Sequence, residues 1–276
     1  MSTPGDLGTE LAVAILAARR AAAAILERRT RPTVSTKPDG SPVTSADLAA
    51  DAAIRTTVRE AFPGDAILTE EGVDDGARLS NRRCWIGDPL DGTRYFIAGS
   101  DDFDTFLALV VDGMPVVAVS LQPATGLLLG AVAGRGAWRQ EGDGPRRRLT
   151  LSPRSPCRLA TKAWLGAPEN LTALEAVART LDGQLLQAVF SLCPRCFLPP
   201  RPTIDAMIGL SAERPLDAWE WDIAPTDLIV REAGGAATDL TGAPLRYNQS
   251  VPRFASGLIV AADPVLHRSL VQALQR

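Results

Sequence analysis

Histidine is almost missing from this 276-residue chain: His267, near the C-terminus, stands alone. A Ser-His-Asp triad or a His-rich zinc site would have to rest on that one residue, so chemistry built around a central imidazole is poorly supported. An excess of positive charge is missing too. With 29 basic and 32 acidic residues the net charge is −3, which argues against nucleic acid or an anionic membrane as the main partner. An anionic substrate would therefore need a local source of positive charge. The longest early apolar run, LAVAILAA, closes at Arg19-Arg20 and is too short to span a bilayer. The residues before it are acidic rather than basic, so it does not read as a signal peptide and a cytoplasmic location is expected. The four cysteines form no recognisable disulfide framework. There is no internal repeat, and low complexity is confined to the alanine-rich first helix.

What is present is a chain that is 46% hydrophobic, enough for one large core or two modest ones. Residues 7–28 read as an amphipathic helix without internal Gly or Pro. TKPDGSPVT is turn chemistry. SADLAADAAIRTTVREAF reads as a second helix with Ser45 as its cap. DAILTEEG is a short strand ending in Glu70 and Glu71, and RRCWIGDPLDGT a buried strand ending in a tight acidic turn. The stretch FDTFLALVV through GRGAW alternates apolar runs with turns and predicts antiparallel hairpins. GDGPRRRLTLSP marks a boundary near residue 150, giving units 1–150 and 151–276. A helix at 168–181, a strand near 184–190, a helix beginning near Asp222, the strand SGLIVAA and a C-terminal helix follow.

Acidic residues fall at the ends of these elements: Glu70 and Glu71, Asp88 and Asp91, Asp222, and Asp47. If neighbouring strands pair, Glu70, Asp88 and Asp91 converge. Several carboxylates side by side cannot all stay ionised without compensation, and a hard divalent cation supplies it. Oxygen-only ligands suit magnesium, which also takes substrate phosphate. Pro89 stiffens the turn, the Leu90 carbonyl could face the same side, and Gly92 permits close backbone approach. Backbone N–H groups after Asp91, with the Thr93 hydroxyl, could hold a phosphate oxygen. Taken singly, each motif has a plainer reading: a DxxD is usually a solvated turn, and Asp47 or Asp222 could merely cap a helix. The set together points to a metal site.

The ordered pieces DGSPVTSAD, TEEG, WIGDPLDGT and WDIAPTDLIVREAGG resemble the inositol monophosphatase superfamily of magnesium-dependent, lithium-sensitive phosphatases, from about residue 7 to about residue 262. That resemblance implies a layered α-β-α-β-α sandwich, commonly a homodimer, hydrolysing a small phosphorylated substrate with two or three Mg2+ ions. It implies that Glu70, Asp88 and the Leu90 carbonyl hold one metal, and Asp88, Asp91 and Asp222 a second. Gly92 and Thr93 match the phosphate-holding turn. Asp47, with Thr93 and Glu70, matches the group that orients the attacking water, and Lys37 a basic residue nearby. No protein nucleophile is required.

Arg94, in GTRYF, looks like the basic position of 3'(2'),5'-bisphosphate nucleotidases, where a cation could meet a second phosphate. WEWD and PLRYN look like the same branch. Adenosine 3',5'-bisphosphate is the favoured substrate on this reading, and inositol 1-phosphate the alternative. One stretch departs from the family: FSLCPRCFLPPRPTIDAMIGL stands where relatives carry a helix, and Pro194, Pro199, Pro200 and Pro202 oppose one. It also holds a CxxC, Cys193 to Cys196, read as two ordinary thiols because no second pair accompanies it. LDGT superficially matches the DxDGT signature of haloacid dehalogenase-like phosphatases, but Pro89 stands where their nucleophile belongs. A non-catalytic phosphate-binding protein is a third reading, against which the intact acidic set argues.

Overall fold

A computed structural model describes residues 7–152, 154–161, 170–187, 193–198, 204–210, 216, 218–255 and 257–275. Two long helices open the fold, α1 (Gly8–Arg28) and α2 (Ser45–Ala61), separated by a hairpin of β1 (Val34–Thr36) and β2 (Pro42–Thr44). The cap of α2 is Thr44, not Ser45: the Thr44 hydroxyl accepts from the Ala46 N–H while Asp47 reaches back to the Thr44 N–H. This reciprocal arrangement satisfies two otherwise unpaired donors.

A seven-stranded sheet follows in simple order: β3 (Ala66–Thr69), β4 (Arg83–Asp91), β5 (Asp104–Val111), β6 (Met114–Gln122), β7 (Leu127–Val132), β8 (Gly136–Glu141) and β9 (Arg147–Leu149). β3 and β4 run parallel; the remaining neighbours are antiparallel, as the hairpin signals predict. The short helix α3 (Thr93–Ile97) follows β4. A second, five-stranded sheet has the order β11-β10-β12-β14-β13, formed by β10 (Arg158–Thr161), β11 (Gln184–Gln187), β12 (Ala206–Leu210), β13 (Ala236–Thr238) and β14 (Gly257–Ala261). Helices α4 (Leu171–Thr180), α5 (Glu220–Glu232) and α6 (Pro264–Leu274) complete the chain.

Strand alternation sorts the core into layers, because successive side chains point to opposite faces. Trp85, Leu107, Leu109, Val117 and Val119 face α1 and α2. Their neighbours Ile86, Phe106, Ala108 and Ala118 face the other way, onto Ile223, Ala224 and Leu228 of α5. The far side of α5 meets Met207, Leu258 and Val260 of the second sheet. Ile208, Ile259 and Ala261 then point outward onto Leu174 and Val177 of α4 and Leu270 of α6. The result is the α-β-α-β-α sandwich. Each fully buried large side chain contributes about 1.5–3 kcal/mol. α5 is nearly all buried because it is the shared middle layer.

The CxxC segment is a single 3-10 turn, Pro194–Phe197, with Pro194 at its first position. Pro199, Pro200 and Pro202 lie outside the described residues, as do the first residues expected of the 168–181 helix and the last of the 184–190 strand. Cys193 and Cys196 are buried free thiols with Sγ atoms 3.7 Å apart. No helix among the described residues is long and apolar enough to cross a membrane.

Candidate active site

The acidic stretch is not a terminal turn. β4 runs through it as far as Asp91, and its pairing with β5 slips between Asp88 and Asp91, where Pro89 and Leu90 form a bulge. Proline is tolerated at such a point because no ladder donor is required of it. The freed Pro89 carbonyl accepts from Thr105 Oγ1 at 2.9 Å. The bulge re-aims the chain, so Asp88 and Asp91 are not simple alternating strand residues. Asp88 Oδ1 also accepts from the Leu90 N–H at 2.9 Å, which pins the loop from inside. Gly92 then adopts φ +93°, and a Cβ there would lie 2.9 Å from the Asp102 carbonyl oxygen. Glycine is thus demanded here by the chain's own packing and by the left-handed φ.

Parallel pairing of β3 with β4 carries Glu70 to the side of Asp88, and the Glu70 N–H donates to the Gly87 carbonyl at 3.3 Å. The start of α5 brings Asp222, whose carboxylate caps the helix by accepting from the Trp219 N–H at 2.9 Å. Capping and site roles therefore coexist in one side chain. Oxygens of Asp88, Asp91 and Asp222 all lie within 4.8 Å of one another. Asp88 is buried, and its carboxyl is pushed well above the usual range by burial, then by the charges of Glu70, Asp91 and Asp222. An oxygen-only, mutually repelling set with one buried and two half-buried members fits a hard divalent cation, which removes the repulsion.

The other expected residues fall around this cluster in distinct ways. Glu70 stands outside that trio but beside it, sharing a hydrogen bond with Asp88, and is bound by Lys37 Nζ at 2.6 Å. Lys37 also pairs with Glu71 at 2.7 Å. Its charge is committed to those carboxylates and it does not line the cleft. Burial alone would lower the Lys37 pKa, but Glu70 and Glu71 outweigh it and raise the net value. Glu71 is raised to about 7, chiefly by burial, with Lys37 opposing. Asp47 is 1% exposed and lies behind Thr93 rather than on the wall. It accepts from Thr44 N–H (2.8 Å), Thr44 Oγ1 (2.6 Å) and Thr93 Oγ1 (2.8 Å). With its proton on Asp47, the Thr93 hydroxyl offers lone pairs to a donor in the cleft.

The cleft has a volume of about 700 Å³. Its floor is Glu70, Asp88, Leu90, Asp91 and Asp222, and Gly92, Thr93 and Arg94 form one side. Arg94 is exposed and makes no ion pair among the described residues. Four wall contributors had no site role assigned from sequence, although the motifs DGSPVTSAD, GTRYF and WEWD contain three of them: the stretch from Asp39 to Pro42, Tyr95, Trp219 and Arg253. Loop residues and a lone arginine carry no periodic signal; only the fold brings them in. His267 is elsewhere, on α6 against Thr238.

The sequence profile of the inositol monophosphatase family matches residues 6–276. A histidinol-phosphatase from Mycobacterium tuberculosis is 31% identical over 250 residues, covering 87% of both chains. A 3'(2'),5'-bisphosphate nucleotidase, CysQ, from Aggregatibacter actinomycetemcomitans is 30% identical over 82% of this chain and 84% of its own. The crystal structure of CysQ from Bacteroides thetaiotaomicron superposes with a TM-score of 0.73 at 27% identity, over 92% of this chain and 97% of that one. An acidic cluster suited to a metal, the layered sandwich and a match over nearly the whole length converge: this chain is a phosphomonoester hydrolase of the inositol monophosphatase family.

Proposed function

We propose that the protein is a magnesium-dependent 3'(2'),5'-bisphosphate nucleotidase that converts adenosine 3',5'-bisphosphate to AMP and phosphate. The observation that carries this reading is Arg94, an exposed guanidinium on the same cleft as Asp88, Asp91 and Asp222. A substrate with a second phosphate gains a charge-assisted, bidentate contact there. Similarity to a relative named as a nucleotidase supports it. Histidinol phosphate is a further compound to test, because a relative 31% identical is named as a histidinol-phosphatase. Inositol 1-phosphate is the second reading, favoured by the family whose profile the chain matches.

In this scheme Glu70, Asp88 and the Leu90 carbonyl would hold one ion, and Asp88, Asp91 and Asp222 another. Bound magnesium supplies Lewis-acid chemistry, making a water nucleophilic and offsetting charge on the leaving oxygen. The chain's own residues orient the reactants. Thr93, its proton committed to Asp47, accepts from the attacking water and fixes its direction. Asp47 accepts from the N–H and hydroxyl of Thr44 and from the hydroxyl of Thr93, which holds Thr93 in that orientation. The N–H groups of Thr93 and Arg94, at the start of α3, face no intrahelical carbonyl and serve phosphate oxygens. Lys37 keeps Glu70 in position and does not touch phosphate. Lithium inhibition, a homodimer and a cytoplasmic location belong to the same reading.

The test is kcat/KM, with magnesium, on adenosine 3',5'-bisphosphate, inositol 1-phosphate and histidinol phosphate. We expect a preference of about tenfold or more for the bisphosphate, the worth of one charged hydrogen-bond pair. Turnover of inositol 1-phosphate with none of the bisphosphate would contradict it.

A further inference from the structure

The cleft is far larger than one phosphoryl group requires, and its volume falls in the range of sites that enclose a whole small molecule. Part of its wall is neither acidic nor flexible. Trp219 and Arg253 are joined by an isolated antiparallel bridge. Flanking backbone bonds reinforce it: Glu220 N–H donates to the Pro252 carbonyl and Phe254 N–H to the Ala218 carbonyl, each at 3.0 Å. The Glu220 carboxylate accepts from the N–H groups of Asn248 (2.6 Å) and Gln249 (2.9 Å), tying down the segment that leads to Arg253.

The side chains are fixed as well. Arg253 Nε donates to the Leu216 carbonyl at 2.5 Å, and its guanidinium carbon lies 5.5 Å from the Trp219 ring centroid. Trp219 stacks on Trp221 with centroids 4.9 Å apart and planes 5° from parallel. Asp222 follows directly, so this rigid group of planes stands beside the carboxylate cluster.

An indole accepts no ordinary hydrogen bond, so it gives little to a polyol whose hydroxyls need partners. A guanidinium and an indole held in a fixed array suit a flat π system, which gains stacking and cation–π attraction. We propose that Trp219 and Arg253 are specificity-determining residues that receive a nucleobase on the leaving group. This rests on the nucleotidase reading and extends it: Arg94 reads a second phosphate, whereas Trp219 and Arg253 read the base.

The experiment compares kcat/KM for adenosine 3',5'-bisphosphate with that for an analogue that keeps the sugar ring and both phosphates but has hydrogen in place of adenine. Base–aromatic stacking makes the expected ratio about tenfold or more in the wild type. The ratio should fall toward one in W219L and R253M, with R253K intermediate. Equal losses on both compounds would mean that the two residues only support the cleft, and would overturn the inference while leaving the nucleotidase reading intact. A wild-type ratio near one would do the same. Cleavage of inositol 1-phosphate with neither compound turned over would overturn both. If W219L does not fold, R253M carries the comparison. Quenching of tryptophan fluorescence in the intact enzyme by AMP, and not by ribose 5-phosphate, is the second readout; equal effects of the two ligands would count against the inference.

Discussion

Asp47 holds three donors at once, the N–H and hydroxyl of Thr44 and the hydroxyl of Thr93. An amide of the same shape cannot, because its NH2 would face a donor. D47N should therefore lose turnover by about 100-fold or more, in line with loss of the group that orients the attacking water through Thr93. It should also lose about 1 kcal/mol of stability at the start of α2; steady-state kinetics and thermal unfolding check the two effects. D91N keeps a neutral side chain where a carboxylate closes the acidic cluster. Magnesium-dependent phosphate release should drop by about 100-fold or more, beyond the usual cost of losing an outer partner. The fold, followed by circular dichroism, should persist. His267 makes a different prediction. Thr238 donates its hydroxyl proton to the Asp239 carbonyl, so His267 Nε2 donates to Thr238 at 2.8 Å. Burial first, and then Arg268, lower its pKa below the ordinary 6.5. A base whose folded pKa is depressed contributes fully above its unfolded value and loses that contribution as pH falls below it. Stability should thus decline below about pH 6.5, and H267Q should show a shallower decline in urea titrations across that range.

At the scale of elements, the 3-10 turn Pro194–Phe197 carries a cross-link that no local pattern announces. Arg195 Nε bonds Asp104 Oδ2 at 2.9 Å, and its guanidinium also pairs with Asp102. Asp104 starts β5 directly opposite Asp91, and the Asp102 carbonyl crowds Gly92. Arg195 therefore braces the strand that backs the acidic bulge. Asp104 is 1% exposed at its side chain and Arg195 12%, so removing the cation strands a buried carboxyl. R195M should cost about 3–5 kcal/mol, and adding D104L should recover much of it, since a buried pair replaced by apolar groups is often neutral. Denaturant midpoints of the single and double variants measure this; additive losses would contradict it. Pro194 was legible as an obstacle to a longer helix and opens the 3-10 turn, but the arginine's partners, which lie 91 and 93 residues away, were not legible. β4 was legible as a buried strand. Its continuation through Pro89 was not, because proline and paired aspartates locally signal a turn, and only pairing with β5 shows the bulge. The choice between Thr44 and Ser45 as cap was ambiguous for a related reason: both types cap well, and only the reach of Asp47 decides.

Across the whole molecule, the hairpin strands β5 to β8 and the long helices α1 and α2 were readable because their burial follows simple periodicities. Of the second sheet, β11 and β14 were readable as strands but its order β11-β10-β12-β14-β13 was not, since it mixes parallel and antiparallel neighbours through long crossovers. The strand Ala206–Leu210 is five residues of plain apolar sequence, equally compatible with a buried helix. The acidic residues were legible as a set, since Asp88, Asp91 and Asp222 do converge. Lys37 was read as a basic residue near the site, but its pairing with Glu70 and Glu71 was not legible. Trp219 and Arg253 became visible as a wall only when α5 and the segment before β14 were brought together. The layers give the cleft its character: a sheet supplies Asp88 and Asp91, the central helix supplies Asp222, and the short helix α3 and the segment before β14 supply Arg94 and Arg253. That division makes metal dependence the sharpest test. Inorganic phosphate released from adenosine 3',5'-bisphosphate is followed as Mg2+ is titrated into chelator-stripped protein. The expected result is no release without the ion and a saturable rise as it is added. Release that ignores the ion, or none at any concentration, would contradict the metal-dependent nucleotidase.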